Sequence, residues 1–399
     1  MHELLKHYLQ HDAIQNATKI EKKEKKITKP IMLKIMLKTN TMMRTMATTT
    51  TTKVFGCGSN VVDVIFRTKA LPKAGEKGYF DPSVPVPEAE IVGGVTLNHL
   101  AWARKFNVPT GLLALQGTDP HGIMIREKLA SMGVDNTHIW VEPHHRTSLS
   151  HIVLDKEGER AIIMAPGSTS DIDKHVMQSQ FAALLKTSRI ATTEISQLPL
   201  EAVEELISSA GGLTMLDVDV RPTVAVTDAN LGDLKTLLRC CQSCDVLKPT
   251  MDAAGELLAL VASAGESCDD ADVVLADTAD GVAGQLLDAF EGVGLVAVTD
   301  GANGAGLALR GLEETVRIPG FEGVQQIDAT GAGDAFFGGL IAGLYHKCDA
   351  KLPTDVESLR TVGKMASASG AACCEVLGAL PIDGVSEKRV ESFLQYGSR

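Results

Sequence analysis

The residues best placed to do chemistry are Asp328-Ala329-Thr330-Gly331-Ala332-Gly333-Asp334, which run straight into the apolar stretch Ala335-Phe336-Phe337-Gly338-Gly339-Leu340. A turn of small residues that opens a helix exposes backbone N–H groups with no partner inside the helix. Together with the helix dipole these donors make an anion site. A carboxylate beside such a site repels what the site attracts, unless it takes part in the reaction. Asp334 therefore reads as a general base that removes a hydroxyl proton while the N–H groups of Gly331, Ala332 and Gly333 hold a phosphoryl group in transfer. The competing reading is a simple helix cap, a position that Asp favours.

Other candidates lie upstream. Asp63 closes the run Gly58-Ser59-Asn60-Val61-Val62-Asp63, read as the end of the first strand, where open α/β sheets bind ligands. Gly93-Gly94 would let a ligand approach the backbone closely, and Asn98 offers a polyol both a donor and an acceptor. Arg160 sits in a predicted hairpin, as a ligand contact or as a solvated charge. Thr299 and Gly301 follow the apolar strand Leu295–Val298, and the loop continues through Gly304 and Gly306. Alone this is a weak phosphate-loop signal. There is no G-x-x-x-x-G-K-[ST], H-R-D or D-F-G set, which disfavours the P-loop and protein-kinase folds.

The segment from Asp328 to Asp334 resembles the C-terminal signature of the PfkB/ribokinase family of carbohydrate kinases, D-[TA]-x-G-A-G-D, without a mismatch. Gly93 to Asn98 is similar to the family's G-G-x-x-x-N, Gly58 to Asp63 to its first strand, and Thr299 to Gly304 to its T-x-G nucleotide segment. All four occur in the family's order, from about Lys53 to Leu394. The resemblance implies a ribokinase-like α/β sandwich with a parallel sheet and a small β-rich lid. It implies ATP-dependent phosphorylation of a hydroxymethyl group on a sugar or sugar acid. Asp63, Gly93, Gly94, Asn98 and Arg160 would contact the sugar, and Thr299, Gly301 and Gly304 the nucleotide. Mg²⁺ would bridge phosphate oxygens, and K⁺ would lie near Asp328, Thr330 and Gly378. A homodimer formed through the lid is also implied. One family element is altered: where relatives carry N-x-x-E, this chain has Thr250 and Ala253, with Asp252 and Glu256 nearby as substitute carboxylates. A nucleoside kinase of the same family and a non-catalytic binding or scaffold protein are the alternatives.

The elements that must position these residues can be read from periodicity. Apolar runs at 54–58, 110–115, 190–193, 213–218, 245–247 and 294–299 alternate with helical patterns such as 122–132 and 366–374. That alternation predicts a parallel sheet covered on both faces. The lid is expected at about 64–92 and 147–165, the second part as a hairpin around Lys156-Glu157-Gly158-Glu159.

Composition agrees with such an enzyme. The 399 residues carry a net charge of −12, which argues against a general affinity for nucleic acid or anionic membranes. Only 4% are aromatic, too few for base-stacking platforms. No apolar run is long enough to span a membrane. The eight cysteines include one C-x-x-C, Cys241 and Cys244, without the second pair a structural zinc needs, and imply a reducing compartment. Residues 1–52 read as a disordered, lysine- and threonine-rich extension to the kinase domain at 53–396. As an ordinary tail it leaves a cytoplasmic protein; as a transit peptide it would direct the chain to a plastid or mitochondrion.

Overall fold

The computed structural model describes residues 54–157, 159–264 and 274–396. The extension at 1–52, the hairpin residue Gly158 and Cys268 lie outside the described residues. Nine strands form the main sheet: β1 (Val54–Cys57), β4 (Thr110–Gln116), β5 (Ile139–Val141), β8 (Ile190–Glu194), β9 (Leu213–Val218), β10 (Val246–Pro249), β11 (Leu295–Thr299), β12 (Gly304–Leu309) and β13 (Val316–Pro319). Their order is β13-β12-β11-β10-β9-β8-β1-β4-β5. From β11 through β5 all pairs are parallel, whereas β12 and β13 return antiparallel at one edge. The expected parallel sheet is therefore the centre of a mixed one. The Gly301–Asn303 turn between β11 and β12 is too short for a helical crossover, so the strand must reverse.

Alternation along the central strands explains the layers. Phe55, Cys57, Leu113 and Leu115 face one core, whereas Val54, Leu112 and Ala114 face the other. The second core is closed by α1 (Val95–Lys105), α2 (Pro120–Met132), α7 (Ala332–Lys347) and α8 (Val356–Cys374). The first is closed by α3 (Leu200–Ser209), α4 (Leu234–Ser243), α5 (Met251–Ala264) and α6 (Ala279–Ala289). Helix α9 (Ser386–Tyr396) ends the described chain. Cys240, Cys241 and Cys244 are free and fully buried in the first core. Burial pushes the Cys240 thiol up to about 12 and raises the other two. Helix α7 lies against both α1 and α8. A Cβ on Gly338 would stand 2.8 Å from the His99 carbonyl oxygen, so a glycine there sets how closely α7 approaches α1.

A second sheet, ordered β3-β2-β6-β7, forms the lid from β2 (Val61–Arg67), β3 (Ala89–Gly93), β6 (Leu149–Leu154) and β7 (Arg160–Ala165). Two expectations change here. Asp63 does not end the first strand; it is the third residue of β2, paired with Ile91 of β3 and Ser150 of β6. The chain leaves β1 at Gly58–Asn60 and runs directly into the lid. Within the expected lid segment 64–92, strand is confined to the two ends, in β2 and β3, because the prolines at 82, 85 and 87 cannot donate to a ladder.

Asp119 joins lid and sandwich. One of its oxygens caps α2 by accepting from Gly122 N–H (3.0 Å), and the other accepts from Thr147 N–H ahead of β6 (2.9 Å). Burial opposes its charge, yet these bonds hold the carboxyl below its ordinary range. A depressed carboxyl stabilises the fold above its unfolded value, and that stabilisation fades as pH falls. Asp119→Ala should cost about 1–2 kcal/mol at neutral pH. In denaturant titrations the gap to wild type should narrow as the pH is lowered below about 4.

Candidate active site

Strand β1 lies between β4 and β8, the point where the sheet's winding reverses and α/β folds bind ligands beyond the carboxyl ends of their strands. The site gathers there. Gly93 ends β3, Gly94 caps α1, and Asn98 follows one turn later. Asn98 is not a surface residue. It is 3% exposed, and its amide donates to the Asp334 carboxylate at 2.8 Å. Its own carbonyl oxygen is buried without a partner among the described residues, which leaves an acceptor for a ligand hydroxyl. A Cβ on Gly93 would lie 3.3 Å from an Asp63 oxygen, so the lid strand and the α1 entry meet. Burial raises the Asp63 carboxyl, and a hydrogen bond from Ser150 partly offsets this.

Gly331 caps α7 with φ 76°, a left-handed conformation that suits glycine, and a Cβ there would collide with Ala379. Of the three N–H groups expected to hold a phosphoryl group, Ala332's closes the turn onto the Ala329 carbonyl at 3.2 Å. Those of Gly331 and Gly333 have no partner among the described residues. Asp334 lies in the first turn of α7. Burial raises its carboxyl, whereas His99, the Asn98 hydrogen bond and Lys248 pull it back down.

Asp328, Thr330 and Gly378 do come together. One Asp328 oxygen accepts from Thr330 N–H (2.9 Å) and the other from Gly378 N–H (3.0 Å). Burial opposes the charge, but these bonds, with help from Arg160, hold the carboxyl below its ordinary range. Arg160 itself is exposed at the start of β7, so its charge reaches across from the lid.

Behind the turn lies a cavity of about 680 Å³ lined by Thr299, Gly301, Gly304, Ala329, Ala332 and Gly333, among others. The three predicted nucleotide residues therefore share one chamber with the anion turn. Thr250 and Asp252 line it too, whereas Glu256 is engaged by Thr223 N–H at 2.6 Å. Asp252 is thus the available substitute carboxylate. Ser367 also lines the chamber, and its hydroxyl is buried without a partner among the described residues.

Glu194, Lys248 and His99 had no role in the sequence reading, and Asp217 entered it only within the stretch 217–222, as a hint of a sugar-acid acceptor. Glu194, Asp217 and Lys248 form one row across β8, β9 and β10, paired in register at the carboxyl ends of the strands. His99 contacts Asp217 at 3.1 Å and Thr192 at 3.3 Å, and its ring packs edge-on against Phe337. Glu194 accepts from Ser59 N–H at 2.8 Å and from both Ser196 donors, which fixes the loops after β1 and β8. Burial pushes the Glu194 carboxyl up and also that of Asp219, to which the Glu194 charge adds. The available signal was a charged residue at or next to the end of a short buried strand.

Residues 58–383 match the family model for pfkB family carbohydrate kinases. The fructokinase of Salmonella typhimurium is 28% identical over 292 residues, covering 72% of this chain and 87% of that protein. An Arabidopsis thaliana ribokinase, solved with ribose and ATP, shares the fold with a TM-score of 0.67 and 20% identity, over 85% of this chain and 99% of that one. An Escherichia coli chain solved with ATP and Mg²⁺ superposes with a TM-score of 0.63 and 22% identity, over 86% and 99%. With the signature, the site and a family match across most of its length, the chain belongs to the pfkB family of carbohydrate kinases.

Proposed function

We propose that this protein transfers the γ-phosphoryl group of ATP to a hydroxymethyl group of a neutral sugar of the fructose or ribose type. The observation that carries the reading is the Asn98–Asp334 hydrogen bond, which joins the lid-side motif to the anion turn beside the cavity. A sugar held by Asp63, Gly93, Gly94 and Asn98 presents its hydroxyl to Asp334, which takes the proton as the oxygen attacks the γ-phosphorus. The free N–H groups of Gly331 and Gly333 stabilise charge on the phosphoryl oxygens, and Ala332 holds the shape of the turn. Thr299, Gly301 and Gly304 contact the nucleotide. When bound, Mg²⁺ neutralises phosphate charge; Asp252 beside the phosphate end fits an ion that needs one or two carboxylates. The lid, closed over the sugar, excludes water, which would otherwise compete as acceptor, and Arg160 in its hairpin contacts the sugar. The fructokinase relative favours a neutral sugar over sugar acids and nucleosides. The outer lid strand β7 is exposed throughout, with Ile163 at 65%, and supports a homodimer through the lid.

The test is coupled-enzyme ATP turnover against fructose, ribose, sugar acids and nucleosides. Turnover should be highest with a neutral sugar. Asp334→Asn should lower the rate by about 10²–10⁴-fold while leaving ATP binding within a few-fold. ATP binding without transfer to any acceptor would return the non-catalytic reading.

The base must be ionised, and burial raises its carboxyl. The acid limb of the kcat/KM profile should therefore lie above the ordinary aspartate range. Asn98→Ala, by removing a bond to the charged form, should move it to higher pH. An unmoved limb would take Asp334 out of the titration.

A monovalent cation at Asp328, Thr330 and Gly378 would brace the entry to the anion turn. Exchanging K⁺ for Na⁺ or Li⁺ at constant ionic strength should change the rate several-fold. Equal rates in the three salts would leave the Asp328 hydrogen bonds as the brace.

A further inference from the structure

Lys248 has no role in the chemistry described so far, yet its position is costly. It is the third residue of β10, 1% exposed, with its ammonium 2.9 and 3.0 Å from the two Asp217 oxygens. Taking both ions out of water offsets much of what their pairing returns. Asp217 takes two of the three ammonium donors, and among the described residues no acceptor meets the third. The same nitrogen lies 3.1 Å from where a Cβ on Gly333 would stand. Gly333 lines the nucleotide-side cavity, so the ammonium lies close behind a wall residue that has no side chain. His99, Asp217 and Asp334 have the spacing of a metal site, but Lys248 already supplies the positive charge there.

We propose that Lys248 is a positioning residue for phosphoryl transfer, which stabilises from beneath Gly333 the negative charge gathering on the γ-phosphoryl group. The proposal rests on the kinase reading above and adds a charge to it. The row Glu194–Asp217 and the base Asp334 make the floor of the site negative, in a chain of net charge −12. A triphosphate can settle there only where that field is reversed locally. A fixed ammonium in surroundings poor in water acts over several ångströms, because solvent and salt screen it weakly. In the step itself Asp334 accepts the hydroxyl proton, the hydroxyl oxygen bonds to the γ-phosphorus, and the bond to the β–γ bridging oxygen breaks to release ADP. Lys248 keeps its proton throughout.

The competing role is local: Lys248 would only neutralise Asp217 and so keep Asp334 ionisable. The groups around Asp334 are Asn98 and His99 from α1, Asp217 and Asp219 from β9 and the loop after it, Lys248 from β10 and Cys373 from α8. Two variants of the full chain separate the roles. Lys248→Met should lower kcat on the order of 10²-fold with little change in sugar KM, and should move the acid limb to higher pH, because Asp217 is left unopposed. The double variant Asp217→Asn, Lys248→Met removes both charges and with them the folding penalty of a lone buried carboxylate. Its acid limb should return toward that of wild type while kcat stays low. Recovery of its kcat to near the wild-type rate would overturn the proposal. Calorimetry supplies a readout that needs no acceptor: the preference for ATP over ADP should fall roughly tenfold in the double variant. An unchanged preference would sink the proposal even if the kinase reading stands. If wild type turns over no acceptor, the kinase reading fails, and the calorimetric result still decides the role of Lys248.

Discussion

The hydrogen bond from Asn98 to Asp334 at 2.8 Å sets conditions that much of the structure has to meet. It requires α1 and α7 to pack side by side with their N-terminal turns level. Gly338 permits the close approach, and the left-handed turn at Gly331 starts α7 at the right point. It also holds a carboxylate in a crowded place near other acids, where it gains a proton too easily to serve as a base. His99, Asn98 and Lys248 act against that, so the proposed base depends on residues from one helix and a strand. General bases work best when burial and neighbouring charge bring their proton affinity toward the working pH without overshooting it.

The strand ends carry a second constraint. Parallel strands covered on both faces leave little place for charge except at their carboxyl ends, and there Glu194, Asp217 and Lys248 stand in register. Placed side by side, an acid, an acid and a base compensate one another only in part. The remainder is met by backbone donors at Ser59, Ser196 and Gln197. The loops after β1 and β8 are thereby tied to the sheet at the switch point.

Much of this was legible in the chain. The anion turn, Gly93-Gly94 and the central strands announce themselves through small residues and continuous apolar runs, both of which are local signals. Asn98 was expected to bind a ligand, but nothing local marked it as the partner of Asp334, 236 positions away. Asp63 was expected at a strand end because Gly58-Ser59-Asn60 reads as one continuous extended run with β1. Nothing local distinguishes a strand that stays in the sheet from one that leaves it for a lid. The mutual contacts of His99, Asp217 and Lys248 were illegible for a related reason: they arise only when β9, β10 and α1 are brought together.

The charge of Arg160 ties the lid electrostatically to the Asp328 carboxyl. Arg160 belongs to the β6–β7 hairpin of the lid, whereas Asp328 fixes the entry to the anion turn and the Gly378 loop. A sugar that draws this hairpin inward strengthens the pull on the carboxylate that shapes the nucleotide end. Any such change in acceptor affinity on adding nucleotide must be matched by an equal change in nucleotide affinity on adding acceptor. Were the hairpin to move with the acceptor, the two sites would be linked through it in this way.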